Sequence, residues 1–314
     1  MMKEFGTYLS SFLIIAIISF VMSNALPATT TVMVRDTEQD KPQHSIQPIV
    51  DSESHKVEEI YIEGGKTGIM MLHGFSASSL TFKPLATALS LKGYTVYCPL
   101  LSGHGQGISD LEEVKKETYY KCVDEKLAEF SKKVDRVFVF GHSLGSLLAT
   151  HLAARNDLEG IILMSAPFIP LTPELDLDNI QHVMAVVEKI EPRLPRLNPR
   201  YLTDTDFLDK YGIYPEFSVK GMAVTLEIIR DARKDLAEVD EPVLVIHGTH
   251  DPVADPRGAE FIINNVRSDI KQVVYIQSMS HRFYLGEKMA QVLKATCDFI
   301  EKVEKQKDEA AGDN

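Results

Sequence analysis

Short apolar runs alternate with amphipathic stretches along most of the chain. Val57 to Ile62 alternates apolar and polar positions and predicts a first strand, closed by a turn at Gly64-Gly65. Gly68 to Leu72 is apolar on both faces, the pattern of a strand buried in a sheet interior. Leu80 to Lys92 carries apolar residues at helical spacing and stops at Gly93. Tyr94 to Cys98 predicts a strand, Leu111 to Lys133 a mostly helical stretch, and Arg136 to Phe140 another strand. Ser146 to Ala154 reads as a helix, and Gly160 to Met164 and Pro242 to His247 as buried strands. Ser218 to Lys234 predicts a helix, Gln272 to Ile276 a last strand, and Lys288 to Glu304 a final helix. Strands alternating with helices predict an α/β fold, with a mostly parallel sheet covered on both faces.

The alternation is interrupted twice. Residues 167–214 form an expected cap insertion: prolines recur through it, and one helical stretch, Leu177 to Ile190, stands inside it. At the N-terminus, Phe12 to Met22 is an apolar heart without charge, followed by Ser23-Asn24-Ala25, with small residues at the two positions that a signal peptidase reads. Residues 1–26 are therefore expected to export the chain, as a cleaved signal peptide or as a membrane anchor, with the body outside the cytoplasm. Residues 27–56 are rich in Thr, Asp, Gln, Pro and Ser without periodicity and predict a linker. The domain proper is expected over 57–304, and 305–314 as a loose polar tail.

Charge and cysteines narrow the partners. A formal net charge of −12 over 314 residues disfavours nucleic acid. Cys98, Cys122 and Cys297 show no zinc spacing and read as small buried hydrophobes. No histidine pair stands at i, i+4 with a carboxylate as a zinc site requires, so no metal is expected.

The candidate chemistry lies at Gly141-His142-Ser143-Leu144-Gly145, a G-x-S-x-G pattern between a predicted strand and a predicted helix. A sharp turn there pushes the Ser143 hydroxyl above the sheet edge, while the two glycines let strand and helix pass closely. A serine needs a base to remove its proton, and the base needs a carboxylate to hold its tautomer. In this architecture the order is nucleophile, acid, histidine, each on a loop after a strand. Asp251, beyond the strand ending at His247, and His281, in Ser278-Met-Ser-His-Arg282, meet that order. Asp251 also precedes Pro252 and suits a turn; Asp255 reads instead as a helix cap. His142 is expected to be structural, His104 either to line the site or to brace its loop, and His247 and His250 to brace the acid loop. In His73-Gly74-Phe75, the Phe75 amide can join the Leu144 amide in binding an oxyanion.

His73-Gly-Phe-Ser-Ala, Ser102-Gly-His-Gly, Gly141-His-Ser-Leu-Gly145, His250-Asp251 and Ser280-His281 together resemble the α/β-hydrolase family, in its carboxylesterase and monoacylglycerol lipase group. The resemblance spans about Val57 to Glu304 and implies hydrolysis of small-molecule carboxylic esters through an acyl-serine, with no cofactor. It assigns Ser143 as nucleophile, Asp251 as acid, His281 as base, and Phe75 and Leu144 as oxyanion donors. A thioesterase, an amidase or a haloperoxidase-like enzyme shares this triad. Dehalogenases and epoxide hydrolases of the fold need a carboxylate where this chain has Ser143. A non-catalytic binding member of the fold is the reading from another class.

Overall fold

A computed structural model of the chain describes residues 57–169, 176–195, 205–282 and 287–312. The expected export segment, the linker and parts of the cap lie outside the described residues.

Seven strands form one sheet: β1 (Ile60–Ile62), β2 (Thr67–Leu72), β3 (Thr95–Cys98), β4 (Arg136–His142) and β5 (Gly160–Met164), then β8 (Val243–Gly248) and β9 (Lys271–Ile276). Their order is β1-β3-β2-β4-β5-β8-β9, parallel throughout except for β1 against β3. After the edge strand β1, the chain enters the parallel part of the sheet at β2, adds β3 on one side, then crosses to β4 and the other side. Such a reversal is where an open α/β sheet leaves a crevice at its strand ends.

The period of two sorts each buried strand onto two cores. Met70 and Leu72 of β2 face one side with Val139, Leu147, Ile161 and Val245. Ile69 and Met71 face the other with Phe138, Phe140, Ile162 and Leu244. Helices α1 (Lys83–Ser90), α2 (Ile108–Glu113), α3 (Lys116–Phe130) and α4 (Leu144–Ala153) precede the cap. Every residue of α4 is buried, so this helix has no solvent-exposed face.

In the cap, α5 (Leu177–Ile190) is followed by an antiparallel ribbon of β6 (Arg193–Pro195) and β7 (Glu216–Ser218), with α6 (Thr205–Tyr211) between its strands. Helix α7 (Val219–Asp235) returns the chain to the sheet. Its Arg230 donates to the Leu177 carbonyl at 2.7 Å and to Asp178 at 2.8 Å, fixing the start of α5. Arg193 forks onto Glu112 of α2 at 2.7 and 3.1 Å. The ribbon runs to Ser218, beyond the expected cap limit at 214, because Leu194 pairs with Phe217.

Helix α8 (Gly258–Asn265) links β8 to β9, and α9 (Glu287–Gly312) ends the described chain. The loose tail expected from residue 305 is instead the last part of α9. Its polarity conceals docking by charge: Lys307 meets Glu159 at 2.9 Å, and Arg136 pairs with Asp308. Among the described residues no helix is long and apolar enough to cross a membrane.

Candidate active site

The register of the sheet brings the sequence motifs to one edge. Leu72 pairs with Gly141, His142 with Met164, Met164 with Ile246, and Gly248 with Ile276. The loops carrying Phe75, Ser143, Asp251 and His281 therefore leave neighbouring strands at the same end.

The elbow is tight. Ser143 has φ 54° and ψ −117°, an unfavourable region for a residue with a Cβ. Packing holds it there. The Ser143 amide donates to the Met164 carbonyl at 3.0 Å, and the buried Ser146 hydroxyl donates to the Gly141 and Met164 carbonyls at 2.8 and 3.0 Å. A Cβ on Gly141 would overlap the Gly145 carbonyl, and one on Gly145 would overlap the Leu72 carbonyl. Both glycines are thus demanded by close backbone approach, as the sequence suggests. The Leu144 amide opens α4 and the Phe75 amide follows β2; neither donates to an acceptor among the described residues. A helix N-terminus adds partial positive charge at the first of them.

Asp251 and His281 meet directly. His281 Nδ1 lies 3.0 and 2.9 Å from the two Asp251 carboxylate oxygens, whose side chain is fully buried. With Nδ1–H donated to the acid, the Nε2 lone pair is left to accept a proton. The Asp251 turn holds at the same time, since Oδ1 also accepts the amides of Val253 at 2.9 Å and Ala254 at 3.0 Å. Burial pushes the Asp251 carboxyl up. The adjacent His281, the His247 side chain and the Ala254 amide outweigh it and hold the group well below the usual carboxylate range.

The other histidines brace these loops. His142 Nε2 donates to the His281 carbonyl at 2.8 Å, and the two rings lie 5.0 Å apart, which sets the base beside the elbow. Burial, with His281 adding to it, pushes the His142 pKa down to about 3, so its ring is neutral at ordinary pH. His247 Nε2 reaches the Ala254 carbonyl at 3.1 Å and Asp251 at 3.4 Å. The exposed His250 ring bonds Thr249 at 3.0 Å, while its backbone amide ties the acid loop to the Met279 carbonyl at 3.1 Å. Asp255 accepts the Arg257 amide at 2.8 Å, but α8 starts at Gly258 with Arg257 at its N-cap, so Asp255 shapes the turn ahead of the helix and does not take the capping place expected of it. The role of Ser146 and the partner of His142 are absent from the sequence reading. A serine three residues past the candidate nucleophile was the one available signal. Among the described residues no group of three His, Cys, Asp or Glu is placed to hold a metal ion.

The family described as serine aminopeptidase, S33, a hydrolase family, matches residues 65–288. The chain belongs to the S33 hydrolase family. The matched span runs from the start of β2 past the candidate base, so it includes the elbow and both partner loops. Relatives of this S33 chain are ester hydrolases by name. A thermostable monoacylglycerol lipase of Bacillus sp. (strain H-257) is 26% identical over 251 residues, covering 78% of this chain and 94% of the relative. A carboxylesterase of Bacillus subtilis (strain 168) is 23% identical over 243 residues, covering 77% and 95%. Among solved structures, a metagenome-derived lipolytic enzyme superposes with a TM-score of 0.69 at 23% identity, covering 79% of this chain and 98% of its own. A soluble variant of the Saccharomyces cerevisiae monoglyceride lipase gives 0.64 at 18% identity, over 78% and 91%. These superpositions place the S33 chain in the α/β-hydrolase fold.

Proposed function

We propose that this chain is a serine ester hydrolase that cleaves carboxylic esters, monoacylglycerols among them, through an acyl-serine at Ser143. The observation that carries the reading is the convergence of a strained Ser143, two undonated amides and a paired Asp251–His281 at one sheet edge. His281 Nε2 takes the Ser143 proton as the hydroxyl oxygen attacks the ester carbonyl carbon. The amides of Phe75 and Leu144 receive the negative oxygen, each worth about 3 kcal/mol at the transition state. The proton then passes from His281 to the alcohol oxygen as the C–O bond breaks and the alcohol departs. Water, deprotonated by the same imidazole, releases the acid. Asp251 stays ionised and stabilises the imidazolium in both halves.

Turnover of p-nitrophenyl esters of graded chain length tests this reading. Wild type is expected to hydrolyse them and Ser143→Ala to fall to background; equal rates in the two would refute it. The family description names an aminopeptidase, so amide cleavage is the second reading. A matched p-nitroanilide separates them, and faster release of the anilide than of the ester would favour the amidase. The proposal includes export, which rests on the apolar run Phe12 to Met22. Fractionation of the producing cells tests it, and protein confined to the cytoplasm would refute it.

A further inference from the structure

The residue after the proposed oxyanion donor is held in an unusual conformation. Ser76 has φ 57°, in the left-handed region. A residue with a Cβ is disfavoured there by about 1–2 kcal/mol, so its neighbours must hold it. Three hydrogen bonds do so. The Ser76 amide donates to His104 Nε2 at 3.0 Å. Its carbonyl accepts the Tyr214 amide at 3.2 Å, and its hydroxyl donates to the Glu216 carbonyl of β7 at 3.2 Å.

Of these partners, His104 is built for the purpose. It is 4% exposed. Its Nδ1 lies 3.0 Å from the Ser102 carbonyl, which can only accept, so the proton sits on Nδ1 and Nε2 is a bare acceptor. Aromatic rings fix its plane: Tyr214 stacks on it at 6.3 Å, and His73 and Phe75 meet it edge-on at 4.9 and 6.3 Å. Burial pushes its pKa down to about 4, which keeps the acceptor unprotonated at neutral pH. His73 repeats the arrangement one step away, with Nε2 accepting the Leu101 amide at 3.1 Å and Nδ1 donating to the Gly74 carbonyl at 2.9 Å. The loop after β3 thus grips the loop after β2 on both sides of Phe75.

We propose that His104 is a positioning residue for the oxyanion hole. By accepting the Ser76 amide it fixes the peptide that follows Phe75, and with it the Phe75 amide beside the elbow. Among the described residues no hydrogen bond joins His104 to Ser143; it acts through Ser76. The inference rests on the ester-hydrolase reading above and adds a second layer to it. It also makes the cap ribbon part of the same brace, since Tyr214 and Glu216 complete the hold on Ser76.

The test compares His104→Leu, His104→Gln and His104→Asn in the full chain on a p-nitrophenyl ester, with a boronic acid as the mimic of the tetrahedral adduct. Leucine removes the acceptor. Glutamine carries an oxygen about where Nε2 stands, and asparagine is too short to reach Ser76. His104→Leu is expected to lose about tenfold to a hundredfold in kcat with KM within about threefold, because a misplaced donor forfeits part of what a deleted one is worth. Its boronate affinity should fall in step. His104→Gln should recover kcat to within about threefold of wild type. If His104→Leu does not fold, as circular dichroism will show, the Gln and Asn variants decide: Gln well above Asn in kcat supports the proposal. A folded His104→Leu with wild-type kcat, a loss confined to KM, or equal kcat in Gln and Asn overturns it. Ser143→Ala is run alongside. Full activity there overturns the ester-hydrolase reading itself, an outcome distinct from failure of the His104 variants alone.

Discussion

Replacing Asp251 by Asn separates charge and tautomer from shape. The Asn oxygen is retained where the amides of Val253 and Ala254 need an acceptor, at 2.9 and 3.0 Å. Its NH2 then occupies the Oδ2 position, 2.9 Å from His281 Nδ1 and 3.4 Å from His247 Nε2. The Asn NH2 donates to Nδ1, and the 3.0 Å contact left to Oδ1 is with an oxygen already shared by two amides, so the His281 proton moves from Nδ1 to Nε2. There it blocks the lone pair that must accept the Ser143 proton, and the buried negative charge that stabilises the imidazolium is gone. The expected loss in kcat is on the order of 10⁴, or about 5 kcal/mol of transition-state stabilisation. KM should stay within about threefold, because Asp251 makes no uniform contribution to substrate binding. The assay is steady-state hydrolysis of a p-nitrophenyl ester, with circular dichroism to establish that the variant is folded. A folded Asp251→Asn retaining more than about a tenth of wild-type kcat would refute the reasoning.

Other outcomes follow from the same geometry. Gly145→Ala should destabilise the fold by about 3 kcal/mol or more, read as a lower denaturant midpoint, because its Cβ meets the Leu72 carbonyl rather than a side chain that can yield; an unchanged midpoint contradicts the close approach. Glu112→Gln should cost under about 1 kcal/mol in the same denaturation assay, since its ion pair with Arg193 is partly exposed. Asp251 is held below the usual carboxylate range, so its contribution to stability is complete above the unfolded value of about 3.9 and is lost as pH falls through the lower folded value. Acid unfolding of wild type should therefore steepen below that unfolded value, and Asp251→Asn should flatten the curve there; parallel curves would contradict the assigned shift.

Much of the fold was legible because burial leaves a periodic trace. Gly160–Met164 and Leu177–Ile190 form elements over the residues their patterns mark. The part of α9 beyond Glu304 was not legible: Lys307 and Asp308 dock through ion pairs, which leave no apolar stripe. At the N-terminal edge, only Ile60 to Ile62 of the alternating run 57–62 pairs, because the register on β3 ends at Cys98. The candidate site divides in the same way. Ser143, Asp251 and His281 were readable because each sits in a local turn motif of fixed order along the chain. The braces were not, because they join residues far apart in sequence: His142 to the His281 carbonyl, His104 to the Ser76 amide, Ser146 to the Met164 carbonyl. Their donors and acceptors become neighbours only once the parallel register aligns the strand ends.

The central claim is that Ser143 is the acyl-accepting nucleophile. The direct measurement is peptide mapping by mass spectrometry after reaction with a fluorophosphonate. A single adduct on Ser143, lost in Ser143→Ala, is the result the geometry predicts. An adduct on another residue such as Ser165, or labelling that persists undiminished in Ser143→Ala, would contradict it.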